Sequence, residues 1–228
     1  MKQICKLVVM LLLAFTAGVQ AQLVTYPESL NPGMPHNDDY TVRVRIPGGE
    51  WKDLFEYNVQ VDMDNVQNAS MVQFDMGSAV EVMVKKNNGS VREVTIRPLS
   101  KGIEYKQIQN AILFTLEKPQ YLSIEFDGDR LHNLHLFANP LETEKYDKET
   151  KGIMYFGPGV HRPKDLPNNQ IRIPGNTTVY LAPGAVVKAK LLVDKAENVR
   201  IIGRGILDHP IRGICLLYTS PSPRDPKT

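Results

Sequence analysis

Apolar and polar residues alternate along short stretches between residues 40 and 140, which is the pattern of half-buried β-strands. Turn-forming residues separate these stretches, and Asn87-Asn88-Gly89 is typical of a β-hairpin. The stretch shows no helical period of any length. The pattern predicts an antiparallel β-sandwich of seven or eight strands over residues 22–140. Its alternating apolar positions are Val42, Val44, Ile46, Val59, Val61, Met63, Val72, Phe74, Val80, Val82, Val84, Val94, Ile96, Ile112, Phe114, Leu116, Leu122, Ile124 and Phe126.

The pattern changes at residues 141–152. The run from Glu142 to Glu149 is charged and has no apolar face, so it predicts a linker between two structural units.

Residues 153–214 carry very short apolar stretches separated by Gly, Pro and Asn. Val179 and Val199 stand twenty positions apart, and each follows a turn that contains an asparagine, Asn176 or Asn198. A step of roughly 20–25 residues per coil is typical of a parallel β-solenoid. Spacing alone leaves a second sandwich open as the alternative.

Residues 1–21 have the pattern of a secretory signal peptide. Lys2 and Lys6 precede an apolar run from Leu7 to Val19, which is short for a membrane span, and Ala21 ends the segment. We expect cleavage after Ala21 and an exported mature protein with no membrane segment. An uncleaved N-terminal anchor is the alternative.

Residues 215–228 form a Pro- and Ser-rich tail unlike the rest of the chain. Cys215 to Asp225 can be encoded by a DNA string that resembles a transposase-type sequencing-library adaptor. We therefore expect the tail to be derived from an adaptor and the natural reading frame to continue past Ile214. A disordered tail is the alternative that this composition also allows.

Composition and charge narrow the function classes. The chain has 228 residues, of which 42% are hydrophobic and 23% charged, which excludes disorder, collagen and a disulfide scaffold. The formal charge of +2 depends on the two ends, because residues 22–214 hold 23 basic and 24 acidic groups. Without a basic surface, a nucleic-acid partner is not expected. Residues 22–214 contain no cysteine, so core burial must stabilise the fold.

Several polar residues invite a catalytic or metal-binding interpretation. Asp38-Asp39 is better explained as a solvated turn. His132 and His135 lie three apart in an extended stretch, on opposite faces, which disfavours a shared zinc ion. Among Glu125, Asp127 and Asp129, the Asp127-Gly128 turn accounts for two, and calcium lacks further oxygen ligands. We predict no metal, no cofactor and no catalytic residue among them.

Three other features have a structural and a functional explanation. Trp51 and Tyr57 can stack on sugar rings, but a core or rim position explains them as well. Gly203-Arg204-Gly205 is too short for a phosphate loop and predicts a tight corner. His209 follows Asp208 and can line a cleft.

Longer segments resemble a known family. Tyr155-Phe156-Gly157-Pro158-Gly159-Val160-His161, the stretch from Val179 to Lys188 and the stretch from Asn198 to Asp208 resemble the first coils of glycoside hydrolase family 28, the polygalacturonase-like enzymes. Val72 to Asp75, Ile96 to Ser100 and Leu134 to Pro140 resemble the β-sandwich that precedes the coils in some of these proteins and in dextranase-like enzymes. The resemblance implies an all-β chain, a sandwich followed by a right-handed parallel β-helix of the pectin-lyase type.

The resemblance also implies an activity and a substrate. Family members hydrolyse polysaccharide with inversion, which requires two carboxyl groups roughly 6.5–9.5 Å apart. Their Asn-Thr-Asp, Asp-Asp, Gly-His-Gly and Arg-Ile-Lys segments do not occur in residues 153–214. The expected function is therefore that of an inactive N-terminal fragment of a pectin-degrading polygalacturonase. A dextranase-like glycanase and a non-catalytic carbohydrate-binding or structural module are the alternatives.

Overall fold

In the computed structural model, the described residues are 22–26, 34–62, 64–144, 146–162, 169–209 and 213–215. They form β-strands joined by turns and loops, which include a 3₁₀ turn at Leu99–Lys101, so the fold is all-β as predicted. In this part of the chain no helix is long and apolar enough to cross a membrane. The predicted signal peptide and the tail after Cys215 lie outside the described residues.

The N-terminal unit is a sandwich of two sheets. One sheet has the order β1-β5-β11-β10-β7, with β4 beside β1 along the same edge of β5, and the other has the order β3-β2-β6-β9-β8. Alternate residues of both sheets, such as Val82, Phe74 and Leu136, are fully buried between them. The strands are β1 (Leu23–Thr25), β2 (Tyr40–Arg45), β3 (Lys52–Asp53), β4 (Tyr57–Val61), β5 (Gln67–Met76), β6 (Val80–Lys86), β7 (Val94–Arg97), β8 (Lys106–Ile108), β9 (Ala111–Leu116), β10 (Gln120–Phe126) and β11 (Leu134–Pro140).

Two details of the sandwich differ from the sequence prediction. Asn87-Asn88-Gly89 does not close a hairpin, because β6 pairs with β2 and β9 while β7 crosses to the other sheet and pairs with β10. With both edges of β6 occupied, the chain has to leave that sheet. The sandwich is also not wholly antiparallel, since β11 inserts between β10 and β5 and runs parallel to β5.

The C-terminal unit is a parallel β-helix, which decides between the two architectures that spacing left open. Strands of successive coils pair in parallel as β12-β15-β18, β13-β16-β19 and β14-β17, and β20 adds antiparallel to β19. Val179 pairs with Ile201, 22 positions on, and not with Val199, whereas Val186 pairs with Ile206, 20 positions on, so the step differs between the sheets. The strands are β12 (Ile153–Phe156), β13 (Gly159–His161), β14 (Gln170–Arg172), β15 (Thr178–Leu181), β16 (Ala185–Val187), β17 (Lys190–Leu192), β18 (Arg200–Gly203), β19 (Ile206–His209) and β20 (Gly213–Cys215).

The two asparagine-containing turns stack on each other. Asn176 and Asn198 have φ values of 57° and 54°, a region that asparagine tolerates better than most residues. The Asn198 Nδ2 donates to Asn176 Oδ1 at 2.9 Å. The side-chain amides therefore continue the coil-to-coil pairing outside the strands.

The sandwich packs directly on the β-helix. Val186 and Ile206 of the coils are buried in one apolar cluster with residues of β4 and β5, including Tyr57 and Met71. This contact covers the outer face of the six-stranded sheet along β4 and β5. It leaves the outer face of β7, β10 and β11 as the adjoining surface.

Candidate functional site

A surface groove lies on the outer face of β7, β10 and β11. We call it the sandwich groove; its volume is about 580 Å³ and its lining residues are Arg97, Pro98, Leu99, Tyr121, Leu122, Ser123, His135 and Phe137. The strand register explains the composition, because Leu122 and its alternation partners fill the core while residues between them point outward. Tyr121 stands opposite Phe137, and Ser123 stands opposite both His135 and Arg97.

The two rings of the groove contact each other. The centroids of Tyr121 and Phe137 are 5.4 Å apart at an interplanar angle of 68°, an edge-to-face arrangement. Leu99 follows on the 3₁₀ turn after a cis Arg97–Pro98 bond and is 66% exposed. The groove thus offers an apolar wall made of aromatic and aliphatic surface.

The polar side of the groove is compensated in charge. Arg97 Nε donates to Glu125 Oε1 at 2.7 Å, and the side chain of Glu125 is 5% exposed. Burial lowers the pKa of His135, so its imidazole is neutral at physiological pH. Ser123 Oγ accepts a hydrogen bond from Asn133 Nδ2 at 2.6 Å, which leaves its own O–H available to donate. These groups suit hydrogen bonding to a ligand that carries hydroxyls.

One end of the groove reaches the β-helix through Arg204. The groove row Tyr121–Phe137 continues to Gln73 on β5, and Gln73 Nε2 donates to Arg204 O at 3.0 Å. Arg204 Nε donates to Asp75 Oδ1 at 2.7 Å, with both side chains almost fully buried. The Arg204 Nη2 donates to Pro140 O, also at 2.7 Å. A single guanidinium therefore ties β5 and the end of β11 to the third coil of the β-helix, the coil that carries β18 and β19.

Two tyrosines and a glutamate surround this ion pair. Burial, and then the Asp75 carboxylate, raise the pKa of Tyr26. Burial raises the pKa of Glu142, whereas the charge of Arg204 opposes that shift. Tyr180 donates to Glu142 Oε2 at 3.0 Å, and its pKa is raised by burial and by that carboxylate. Both phenols are neutral hydrogen-bonding groups at neutral pH, and Tyr180 helps to hold residues 141–144 at the junction through its bond to Glu142.

Residues 141–152 also contact the β-helix. Arg200 forms a two-point ion pair with Glu144, at 3.2 Å for each nitrogen–oxygen contact. The Tyr146 ring packs on Tyr180 with centroids 5.2 Å apart. The described residues of this segment form no strand, yet their side chains contact Tyr180 of β15 and Arg200 of β18.

The acidic and histidine residues considered from sequence serve separate local structures. Asp38 and Asp39 lie in a bend before β2, where their carbonyl oxygens accept from Asn87. Asp127 accepts from the N–H groups of Arg92 and Glu93, and hydrogen bonds from these backbone groups lower its pKa.

Asp129, His132 and His135 also belong to separate local structures. Asp129 accepts from the N–H of Leu131 and of His132, and its carboxylate contacts His132 Nδ1 at 2.9 Å. His135 lies in the sandwich groove on β11, away from that turn. In the described ranges no group of three or more His, Cys, Asp or Glu side chains is placed to hold a metal ion.

The aromatic candidates do not form a joint platform. Tyr57 is 1% exposed and packs at the junction with the β-helix, with its ring 4.8 Å from that of Phe55. Trp51 lies beside a turn under the guanidinium of Arg45, 4.3 Å from the ring centroid. The aromatic pair that does face a groove, Tyr121 and Phe137, went unnoticed in the sequence. Both residues occupy the positions of β10 and β11 between the core residues, which could have indicated an apolar outer face. Alternation alone does not say which of the two faces of a strand is buried.

Gly203 lies at the predicted tight corner of the β-helix, with φ of 124°. A Cβ atom there would lie 2.0 Å from Leu181 O, so only glycine fits. His209 lies in β19, and its side chain is outside the described part of the structure.

No protein-family model and no curated protein sequence matches the chain. Among solved structures, Dex49A from Penicillium minioluteum is similar, with a TM-score of 0.58 and 20% sequence identity. The alignment covers 75% of this chain and 46% of Dex49A, so the chain spans less than half of that protein. The comparison supports the all-β fold with a β-helix and does not single out glycoside hydrolase family 28.

Proposed function

We propose that this chain is the N-terminal part of an exported glycoside hydrolase that degrades polysaccharide. The observation that carries the proposal is the fixed union of a sandwich with a parallel β-helix, aligned with Dex49A over 75% of the chain. The charged and then apolar residues 1–21 support export.

Two substrate classes are supported to a similar degree. Dex49A is a dextranase, which favours a neutral glucan. The coil segments around Tyr155, Val179 and Asn198 resemble polygalacturonase-like enzymes, which favours pectic galacturonan. Both classes use the same architecture, because the β-helix is a scaffold on which different sites are built.

The catalytic carboxylates are proposed to lie on further coils of the intact enzyme. Hydrolysis with inversion needs an acid and a base roughly 6.5–9.5 Å apart, with water between them. On the described coils, Asp194 is held by Arg172 at 3.2 Å and Asp208 is held by Lys188. These carboxylates take part in coil-to-coil ion pairs, which is a structural role.

The test begins at the gene. The locus is sequenced across the codon for Ile214, and the complete product is assayed for release of reducing ends from dextran and from polygalacturonate. We expect activity on one polymer and an inverted anomer by NMR, with none from the 228-residue chain. A frame that ends at Thr228, or a complete protein that cleaves neither polymer, contradicts the proposal. An unsaturated product would indicate a lyase instead.

A further inference from the structure

We propose that the sandwich groove binds a single chain of a neutral hexose polymer, a glucan, and holds it beside the β-helix. This inference rests on the proposed function, since the bound polymer is the one that the intact enzyme degrades. It adds a binding site on the sandwich, a unit to which the catalytic chemistry assigns no role.

The apolar wall fits one face of a pyranose ring. Sugar rings present patches of C–H groups that pack on aromatic and aliphatic surface, whereas their hydroxyls point to the sides. Tyr121, Phe137 and the exposed Leu99 supply such a surface along one side of the groove. A groove of about 580 Å³ that opens to solvent is large enough for a short run of sugar units.

The polar groups match hydroxyls and not carboxylates. Arg97 is already paired with Glu125, and the neutral imidazole of His135 brings no charge. Arg130 does not line the groove; its side chain is 73% exposed, and its Nε lies 4.0 Å from the second oxygen of Glu125. A polyanion such as galacturonan would meet no uncompensated cation inside the groove, whereas a neutral glucan exchanges water hydrogen bonds for those of Ser123 and His135.

The sandwich groove lies next to the β-helix, in a fixed relation to it. The row that contains Tyr121 and Phe137 leads to Gln73, whose amide contacts the backbone of Arg204 on the third coil. The Arg204–Asp75 pair and the apolar cluster around Val186 fix the sandwich against the coils. A glucan held in the groove is therefore kept at a constant position relative to the β-helix.

The test is affinity electrophoresis and calorimetry of the 228-residue chain with soluble dextran, and with polygalacturonate as the charged comparison. The variants are Tyr121→Ala and Leu99→Ser; the second changes an exposed side chain and leaves the core intact. Tyr105→Ala, in a separate depression beside β8, is the matched control. We expect dextran to bind the unmodified chain and the control equally. Each groove variant should bind about tenfold more weakly, because a buried apolar contact is lost.

Three outcomes would overturn the inference: no binding of dextran, equal weakening in Tyr105→Ala, or binding of polygalacturonate that Arg97→Gln abolishes. The assay separates this inference from the proposed function. If the chain binds no glucan while the complete protein hydrolyses one, the groove proposal is wrong and the function stands. If the chain binds dextran through the groove while the complete protein cleaves no polymer, the binding site stands without the enzyme.

Discussion

Arg204 connects the sandwich to the β-helix, a role that no motif in the sequence indicated. It is 7% exposed, and its guanidinium contacts Asp75 and the carbonyl oxygen of Pro140. Burial alone would lower the pKa of Arg204, but the hydrogen bond and charge of Asp75 raise it, so the side chain stays charged. A charge in this position is stable only while its partner is present.

Replacing Arg204 with Met is expected to destabilise the chain by about 3–5 kcal/mol, because the Asp75 carboxylate is left buried without a cation. The double variant Arg204→Met/Asp75→Asn should recover part of that loss. Urea unfolding followed by circular dichroism measures both. Arg172→Met is the matched control, since its pair with Asp194 is exposed and should contribute about 0–1 kcal/mol. Equal losses in the two single variants would contradict this role for Arg204.

Glu56 gives a prediction that depends on pH. Burial raises the pKa of this carboxyl against the hydrogen bonds from Val42 N–H and His36, so folding favours its protonated form. Its unfavourable contribution is absent below the ordinary pKa of 4.5 and appears as pH rises through the higher folded value. Glu56→Gln keeps an oxygen for the Val42 N–H and removes the charge.

The Glu56→Gln variant should therefore be more stable than the unmodified chain at neutral pH. The difference should shrink as pH falls towards 4.5. Thermal unfolding across this range measures it, and Glu117→Gln at an exposed position is the control. A variant that is less stable at every pH would mean that the contact with His36 outweighs the cost of burying the charge.

The burial of Arg204 and Asp75 could not be predicted from the sequence, whereas the burial of the apolar core residues could. The partners Arg204 and Asp75 stand 129 positions apart, and nothing local marks either one as buried. The role of Gly203 could be predicted, because two glycines around Arg204, Gly203 and Gly205, indicate a tight corner even when the neighbouring coil is not known.

Gly203 sets how closely two successive coils approach. It pairs with Leu181 in the parallel ladder, and a methyl group there would overlap the Leu181 carbonyl oxygen. Gly203→Ala should cost at least about 3 kcal/mol, since backbone atoms have to move apart. Gly89→Ala is the control, because its φ is also positive, 75°, but its Cβ would meet open space, and about 1 kcal/mol is expected.

Hydrogen exchange places the effect of Gly203→Ala within the molecule. Amides of β15 and β18 should exchange faster in Gly203→Ala, while those of β5 and β10 stay protected. Uniform loss of protection, or the same cost in Gly89→Ala, would contradict a coil-specific clash.

Alternation predicted which residues of the sandwich are buried but not which strands pair. Val80, Val82 and Val84 are fully buried on one face, as the period of two requires. Which strands pair depends on the edges that other strands already occupy, and this is not visible in a local pattern. The prediction of a hairpin at Asn87-Asn88-Gly89 was wrong for this reason. Strands of two or three residues, such as β3 and β8, are too short to show a period at all.

The union of sandwich and β-helix was foreseen only through resemblance to a family. Coil spacing by itself left a second sandwich open, because one and a half repeats do not establish a period. What decides the architecture is the parallel pairing of Val179 with Ile201 and of Val186 with Ile206. Such pairing joins residues twenty or more positions apart, beyond the reach of local pattern.

This architecture leaves an edge that should make the 228-residue chain associate with itself. Within the described ranges β20 covers β19, whereas β18 and β17 each lie at the end of their sheets. β18 carries Ile201 and Ile202, and its one charged residue, Arg200, is already paired with Glu144, so its open hydrogen-bonding groups favour pairing with a second chain. Sedimentation velocity should show a dissociable dimer whose fraction rises with concentration. Ile202→Lys should shift the chain towards the monomer, because two like charges would meet across the new pair, while Ile108→Lys on β8 should not. A chain that is monomeric at every concentration would show that the coil edge is protected in solution.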